Sequence, residues 1–203
     1  MNNKEKLYNT IATAGIWTMG KIFPEYFAKE PLRPTDRYIE YPWILSILPE
    51  KSSIILDIGC SGSMFPLLIK SLRHTVFGCD IRPYLPAEEI YFRQEDICST
   101  SFPDKFFDVV TAVSTIEHIG LTGRYKASEQ SLDSVAITQI YKILKPYGQF
   151  LMTVPFGKHS IDKYHRVYDR YDIDRLLAGF TYFCTIVPSP EADYSLALIR
   201  AVK

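Results

Sequence analysis

Four acidic residues recur through the middle of the chain, each closing or following a run of β-branched and apolar residues. Asp57 closes SIILD, Asp80 ends VFGCD, Asp96 ends FRQED, and Glu117 follows FDVVTAVST in STIEH. If those runs are neighbouring parallel strands, all four carboxylates line one rim of a sheet. A carboxylate accepts several hydrogen bonds, so Asp80 can take both hydroxyls of a ribose, as the acid after the second strand of dinucleotide-binding folds does. Asp96 can then accept from the exocyclic amine of a base, with Ile81 and Ile97 offering apolar contact to its ring. Just past Asp57 comes Ile58-Gly-Cys-Ser-Gly-Ser-Met-Phe-Pro66. Gly59 and Gly62 let the backbone turn sharply and come close to a ligand. A helix starting near Pro66 adds unpaired N–H groups for an anion. Any one of these acids alone fits a cap or a solvated turn; the series in register points to a ligand.

Positioning those residues requires alternating strands and helices. Strands are expected at 53–59, 74–81, 90–97, 107–115 and 149–155, with helices at 64–72 and over LDSVAITQIYKILKP, ending at Pro146. Such alternation predicts an α/β fold with a doubly wound, mostly parallel sheet that binds ligands beyond the strands' carboxyl ends. The last third differs: DIDRLLAGF reads as a helix, and FCTIVPSP and SLALIRAVK as an antiparallel hairpin turning at Glu191 to Asp193, placed at one sheet edge. RYIEYPWILSILPE (37–50) reads as a helix leading into the core. Before it, residues 1–36 read as a helical arm punctuated by Pro24, Pro31 and Pro34, so the expected division is an arm at 1–36 and a domain at 37–203.

Lys plus Arg and Asp plus Glu both total 23, so no basic excess exists to neutralise a phosphate backbone, and nucleic acid is not the expected partner. The 47% hydrophobic content suits a folded protein rather than a disordered one. Cys60, Cys79, Cys98 and Cys184 form no CxxC pair, which points away from zinc ribbons and towards reduced thiols in a cytoplasm. Ile11 to Met19 is broken by Thr and Gly and is far short of the roughly 20 residues of a spanning helix, so no transmembrane segment is expected. Glu117 with His118, and His159 with His165, match no metal-ligand spacing, and no metal is expected. A monomer or homodimer is expected.

Over residues 37 to 203 the sequence resembles the class I S-adenosylmethionine-dependent methyltransferases. LDIGC (56–60) resembles their first motif, Asp80 their ribose acid, EDI (95–97) their adenine-contacting segment, FDVVTAVSTIEHI (107–119) their fourth motif and LKPYGQFLMTVP (144–155) their fifth. EYPW, VSTIEHIGL and the late HRVYD are most similar to small bacterial members found among genes for surface polysaccharides or other glycosylated products. The resemblance implies a Rossmann-like seven-stranded sheet and S-adenosylmethionine as cofactor, with S-adenosylhomocysteine as product. It implies cofactor contacts from Asp57, Gly59, Cys60, Ser61, Gly62, Asp80, Ile81, Asp96, Ile97 and Ser114. The expected acceptor is a small or glycosylated molecule, methylated at a hydroxyl by in-line displacement.

Ser61 and Ser63 stand where many members carry glycine, and Tyr147 replaces the first glycine of KPGG, leaving Gly148 to supply the unusual backbone angle of that turn. His118 is the candidate base, because histidine titrates near neutral pH, with Glu117 beside it. The loop PFGKHSIDKYHRVYD lies on the same rim and offers His165, Arg166 and Tyr168 to the acceptor, Arg166 suiting a carboxylate or phosphate. Two rivals share many of these features. A nicotinamide-dependent oxidoreductase would need the G-x-G-x-x-G that is missing after Gly59. A catalytically degenerate cofactor-binding scaffold would fit the loop serines.

Overall fold

The computed structural model describes residues 35–84, 87–125 and 132–203, together with Thr18 and Lys21 in helical backbone. The chain divides into two units, Met1–Pro34 and Thr35–Lys203. The expected arm over 1–36 lies outside the described residues, apart from Thr18, Lys21, Thr35 and Asp36.

The second unit opens with α1 (Arg37–Ile47), which buries Glu40 and Ile44, one helical turn apart, on its inner face. Then follow β1 (Ile54–Ile58), α2 (Phe65–Ser71), β2 (Thr75–Asp80), β3 (Tyr91–Gln94) and β4 (Phe107–Val113). A short helix α3 (Thr122–Tyr125) precedes α4 (Leu132–Ile143), β5 (Leu144–Phe156) and a two-residue ribbon of β6 (Ser160–Ile161) and β7 (Arg166–Val167). The chain finishes with α5 (Arg170–Leu176), β8 (Thr181–Pro188) and β9 (Ser195–Val202). The main sheet has seven strands in the order β3-β2-β1-β4-β5-β9-β8. The β1–β2, β1–β4, β2–β3 and β4–β5 pairs are parallel, whereas β9 runs antiparallel to both β5 and β8. The terminal hairpin therefore sits at a sheet edge, as its alternating sequence suggests.

Side chains alternate across each strand, and the core splits accordingly into two clusters. Ile55, Val109 and Leu151 pack with Ile44 of α1 and with Phe65 and Ile69 of α2. Leu56, Val110, Phe150 and Met152 pack on the other face with Ile137 and Ile140 of α4 and Ile173 and Leu177 of α5. Continuing the first face by two residues on each strand brings Asp57, Thr111 and Thr153 to the carboxyl ends beneath α1. The order reverses between β1 and β4, so β2 and β4 leave β1 on opposite sides, and the rim above β1 is where a ligand fits.

Two local expectations are corrected. The helix expected to reach Pro146 stops at Ile143, and β5 begins at Leu144. Backbone bonds from Lys105 and Phe106 to the carbonyls of Lys142 and Ile143, at 2.9 and 2.7 Å, draw the chain into the sheet there. At the following turn Tyr147, not Gly148, takes the left-handed conformation, with φ 63°. Its side chain is 85% exposed and meets no crowding. Its N–H donates to Lys203 O at 3.2 Å, which holds the turn against the end of β9.

Candidate active site

The turn after β1 is built on two glycines with different jobs. Gly59 (φ 76°) is packed against the rim: a Cβ there would lie 2.4 Å from Thr115 Oγ1. Its N–H donates to Cys79 O at 2.8 Å, fixing the turn to β2. Gly62 (φ 82°) faces open space, and a Cβ there would meet nothing within 4 Å. A ligand can therefore approach the backbone at Gly62 directly. The two serines are both tied down. Ser61 Oγ donates to the carbonyls of Arg82 and Pro83, each at 3.0 Å, and Ser63 Oγ accepts from Phe65 N at 3.0 Å and shares a 2.9 Å hydrogen bond with Tyr41 OH.

Asp57 is 3% exposed and accepts from Thr111 Oγ1 at 2.6 Å. Burial pushes its pKa up to about 7; the Thr111 hydroxyl and Arg37 pull the other way, and Asp80 adds to the rise. Cys60 is buried and its thiol is held protonated by that burial, reinforced by Asp57 and Asp80. Asp80 is also buried, and its carboxylate is occupied. Oδ2 accepts from Ser61 N at 2.8 Å, Oδ1 from Arg82 N at 2.8 Å, and the Arg82 guanidinium reaches both oxygens at 3.2 Å. Asp96 lies past the end of β3 on an exposed turn, where it accepts from Cys98 N at 2.8 Å. Ile81 is exposed on the rim, but Ile97 is 4% exposed and packs into the core.

A buried ionic cluster connects α1 to the strand ends. Glu40 is fully buried; Oε1 accepts from Ser114 Oγ and Thr153 Oγ1, each at 2.5 Å, and Oε2 from Arg37 Nη1 at 2.6 Å. Ser114, itself in a left-handed conformation (φ 43°), is thereby fixed at the end of β4.

Beside this cluster opens a cleft of about 260 Å³. Its walls come from Asp36 and Arg37 at the start of α1, Ser114, Glu117 and His118 after β4, and Pro155 at the end of β5. His165 and the hairpin tip residues Glu191 and Tyr194 complete it. His118 Nδ1 lies 2.6 Å from Tyr164 O, and Nε2 lies 3.7 Å from Glu117 Oε1. A carbonyl only accepts, so Nδ1 carries the proton and Nε2 is the basic nitrogen of the neutral ring. The hairpin tip is attached to α1 by Ser189 Oγ, which donates to Asp36 Oδ1 at 2.6 Å. Burial raises the pKa of Asp36 against the pull of that bond, and burial with the nearby Asp36 charge raises that of Glu191.

The late loop divides between two roles. His165 reaches the cleft, its ring 6.2 Å from that of Tyr194. Arg166 is 2% exposed and turns inward, donating to the carbonyls of Glu117 (3.2 Å) and Ile119 (2.7 Å), with Asp133 Oδ2 3.5 Å from its Nε. Tyr168 is buried as well and donates to Asp133 Oδ2 at 3.1 Å. Arg166 braces the turn that carries Glu117 and His118, Tyr168 is tied to Asp133 at the start of α4, and neither is among the residues lining the cleft. His159 is drawn aside by Asp172, 2.5 Å away. The sequence gives no local signal for Glu191, Tyr194 or Asp36 as cleft residues, because chain ends distant in sequence meet there. The Arg37-to-Glu40 spacing of three is the one legible hint of the buried pair.

Residues 56–152 match a family described as a methyltransferase domain. In fold the chain is similar to an S-adenosylmethionine-dependent methyltransferase from Methanosarcina mazei (18% identity, TM-score 0.62, covering 79% of this chain and 97% of that one). It is also similar to the 1,6-didemethyltoxoflavin-N1-methyltransferase of Burkholderia thailandensis, whose structure holds 1,6-didemethyltoxoflavin and S-adenosylhomocysteine (14%, 0.60, 98% and 90%). The [4+2]-cyclase SpnF shares the fold too (18%, 0.64, 86% and 84%). No curated protein matches the sequence. Residues 56–152 thus match a methyltransferase-domain family, and the sheet order is the fold of these S-adenosylmethionine-dependent methyltransferases.

Proposed function

We propose that this methyltransferase acts on a hydroxyl of a small or glycosylated acceptor held in the cleft between α1, the end of β4 and the terminal hairpin tip. The observation that carries the reading is His118: the Tyr164 carbonyl fixes its Nδ1 proton, which makes Nε2 the base on the cleft side of the cofactor turn. The residues present suit the cofactor. Gly62 leaves its backbone open, Asp80 and Asp96 follow β2 and β3 on the rim as acceptors for a ribose and an adenine amine, and Ile81 is exposed. Bound S-adenosylmethionine supplies a methyl group made electrophilic by its sulfonium.

The chain's own contribution is alignment and proton transfer. Alignment alone supplies about 7–11 kcal/mol in ideal intramolecular cases, and a positioned base adds roughly 10²- to 10⁴-fold. His118 Nε2 takes the hydroxyl proton as the acceptor oxygen bonds to the methyl carbon and the C–S pair returns to sulfur. The resulting imidazolium is stabilised by the Glu117 carboxylate 3.7 Å away.

Charge narrows the acceptor. The cleft presents Asp36, Glu117 and Glu191, while its Arg37 is already paired with buried Glu40. Arg166, the residue best suited to a carboxylate or phosphate, is turned inward. A neutral or amine-bearing acceptor is favoured over an anionic one. The test is release of S-adenosylhomocysteine with paired neutral and phosphorylated glycosides. Turnover restricted to neutral or amine-bearing members supports the reading, and preference for the phosphorylated members overturns it.

A further inference from the structure

Tyr84 follows β2 in the segment whose Arg82 and Pro83 carbonyls accept from Ser61 Oγ, so it is tied to the cofactor turn. Its ring packs on Phe92 of β3, centroids 5.7 Å apart, and the residue is 4% exposed. Its hydroxyl is buried and has no hydrogen-bond partner among the described residues. Buried polar groups are paired in more than about nine cases in ten, so an exception this close to a ligand-binding turn asks for a missing partner. The groups that bear on it are Cys60, Asp57 and Tyr41. The neighbours are already engaged: Asp57 with Thr111, and Tyr41 with Ser63. Burial, first, and then those groups push the Tyr84 pKa up to about 12, so the hydroxyl keeps its proton and remains a donor at neutral pH.

We propose that the Tyr84 hydroxyl completes its hydrogen bonding on the amino-acid end of the bound methyl donor. This rests on the cofactor assignment above and deepens it. Cys60 and Asp57, which act on the hydroxyl, belong to the end of β1 and the turn after it, whereas the ribose and adenine are assigned to Asp80 and Asp96 at the ends of β2 and β3. A phenol can donate to a carboxylate or accept from an ammonium, and the amino-acid end offers both.

The experiment compares wild type with Tyr84→Phe in calorimetric titrations with S-adenosylhomocysteine and with 5′-methylthioadenosine, which lacks the amino-acid end. Thermal melting without ligand runs alongside. The expected result is an S-adenosylhomocysteine affinity lowered about three- to tenfold, the value of one hydrogen bond. The methylthioadenosine affinity should stay within about twofold. The ligand-free variant should melt no lower than wild type, because the hydroxyl it loses is unpaired in the free protein. Unchanged S-adenosylhomocysteine binding overturns the proposal. Equal losses for both ligands overturn it too, assigning the hydroxyl to the nucleoside end. A clear drop in ligand-free melting temperature overturns it by revealing a structural partner. Wild type that binds neither ligand overturns the cofactor assignment itself, and this proposal with it.

Discussion

Arg82 covers Asp80: its backbone N–H and its guanidinium together place contacts on both carboxylate oxygens, and its Nη2 also donates to Ser61 O at 2.9 Å. With Ser61 N–H added, the acceptor positions of Asp80 are filled, yet a ribose needs two of them. If Asp80 holds the ribose, as proposed, the guanidinium must leave when the cofactor binds. Its side chain is 49% exposed although that of Asp80 is 4% exposed, and at 3.2 Å with one partner half in solvent the pair is worth on the order of 1 kcal/mol. Arg82→Ala is expected to tighten S-adenosylhomocysteine binding by up to about fivefold in calorimetry. Asp80→Ala should weaken it by about tenfold or more, and weaker binding by Arg82→Ala would mean that the guanidinium contacts the cofactor instead.

His118 is expected to matter for turnover and little for cofactor affinity. His118→Ala should lower kcat by about a hundredfold or more on a hydroxyl acceptor while S-adenosylhomocysteine affinity stays within about twofold. Initial rates and calorimetry on one preparation decide it. A variant with wild-type kcat would remove the histidine from catalysis and leave it as a brace for the Tyr164 loop.

The Arg37–Glu40 pair should be asymmetric in its effect on stability. Arg37→Ala leaves a fully buried carboxylate without its cation; because the Arg37 side chain is itself 40% exposed and Glu40 keeps two hydroxyl donors, the break costs less than that of a fully buried pair, about 1–3 kcal/mol. At this chain length each kcal/mol moves the melting temperature by about 2–4 °C. Adding Glu40→Gln to Arg37→Ala removes the stranded charge and should recover part of the loss. Differential scanning calorimetry of the two variants reads this directly; a double variant no more stable than Arg37→Ala would contradict it.

Asp57 links stability to pH. Its folded pKa, about 7, lies above its ordinary value of 3.8, so between those values the native chain holds a proton that the unfolded chain has released. The contribution is fully present below about pH 4 and is lost as pH rises through about 7, reaching about 4 kcal/mol. Asp57→Asn cannot ionise and escapes that loss. Denaturant titrations at pH 5 and pH 8 should show the variant gaining stability relative to wild type at the higher pH, and an equal difference at both would exclude a perturbed Asp57.

The sheet was legible because β1, β4 and β5 are apolar runs, β1 and β2 carry an acid at or near their carboxyl ends, and the terminal hairpin alternates, all of them local signals. The glycine turn was equally open to inspection, since Gly59 and Gly62 both adopt the positive φ that glycine permits. The cleft was not. His165 and Arg166 are adjacent and chemically alike as loop residues, yet one faces the cleft and the other is consumed by the carbonyls of Glu117 and Ile119. That distinction depends on which backbone groups lie across a gap of nearly fifty residues, and no local pattern records it. Tyr147 was missed for a related reason. Its exposure makes the left-handed turn tolerable without glycine, and exposure is a tertiary property.

The attachment of the hairpin tip to α1 through Ser189 and Asp36 has a consequence for the order in which function arises. Every residue assigned to the cofactor, from Asp57 to Ser114, leaves the ribosome well before Glu191 and Tyr194. A growing chain thus carries every residue assigned to the cofactor before one wall of the cleft exists. The same separation in sequence would let the hairpin tip change without altering any residue from Asp57 to Ser114.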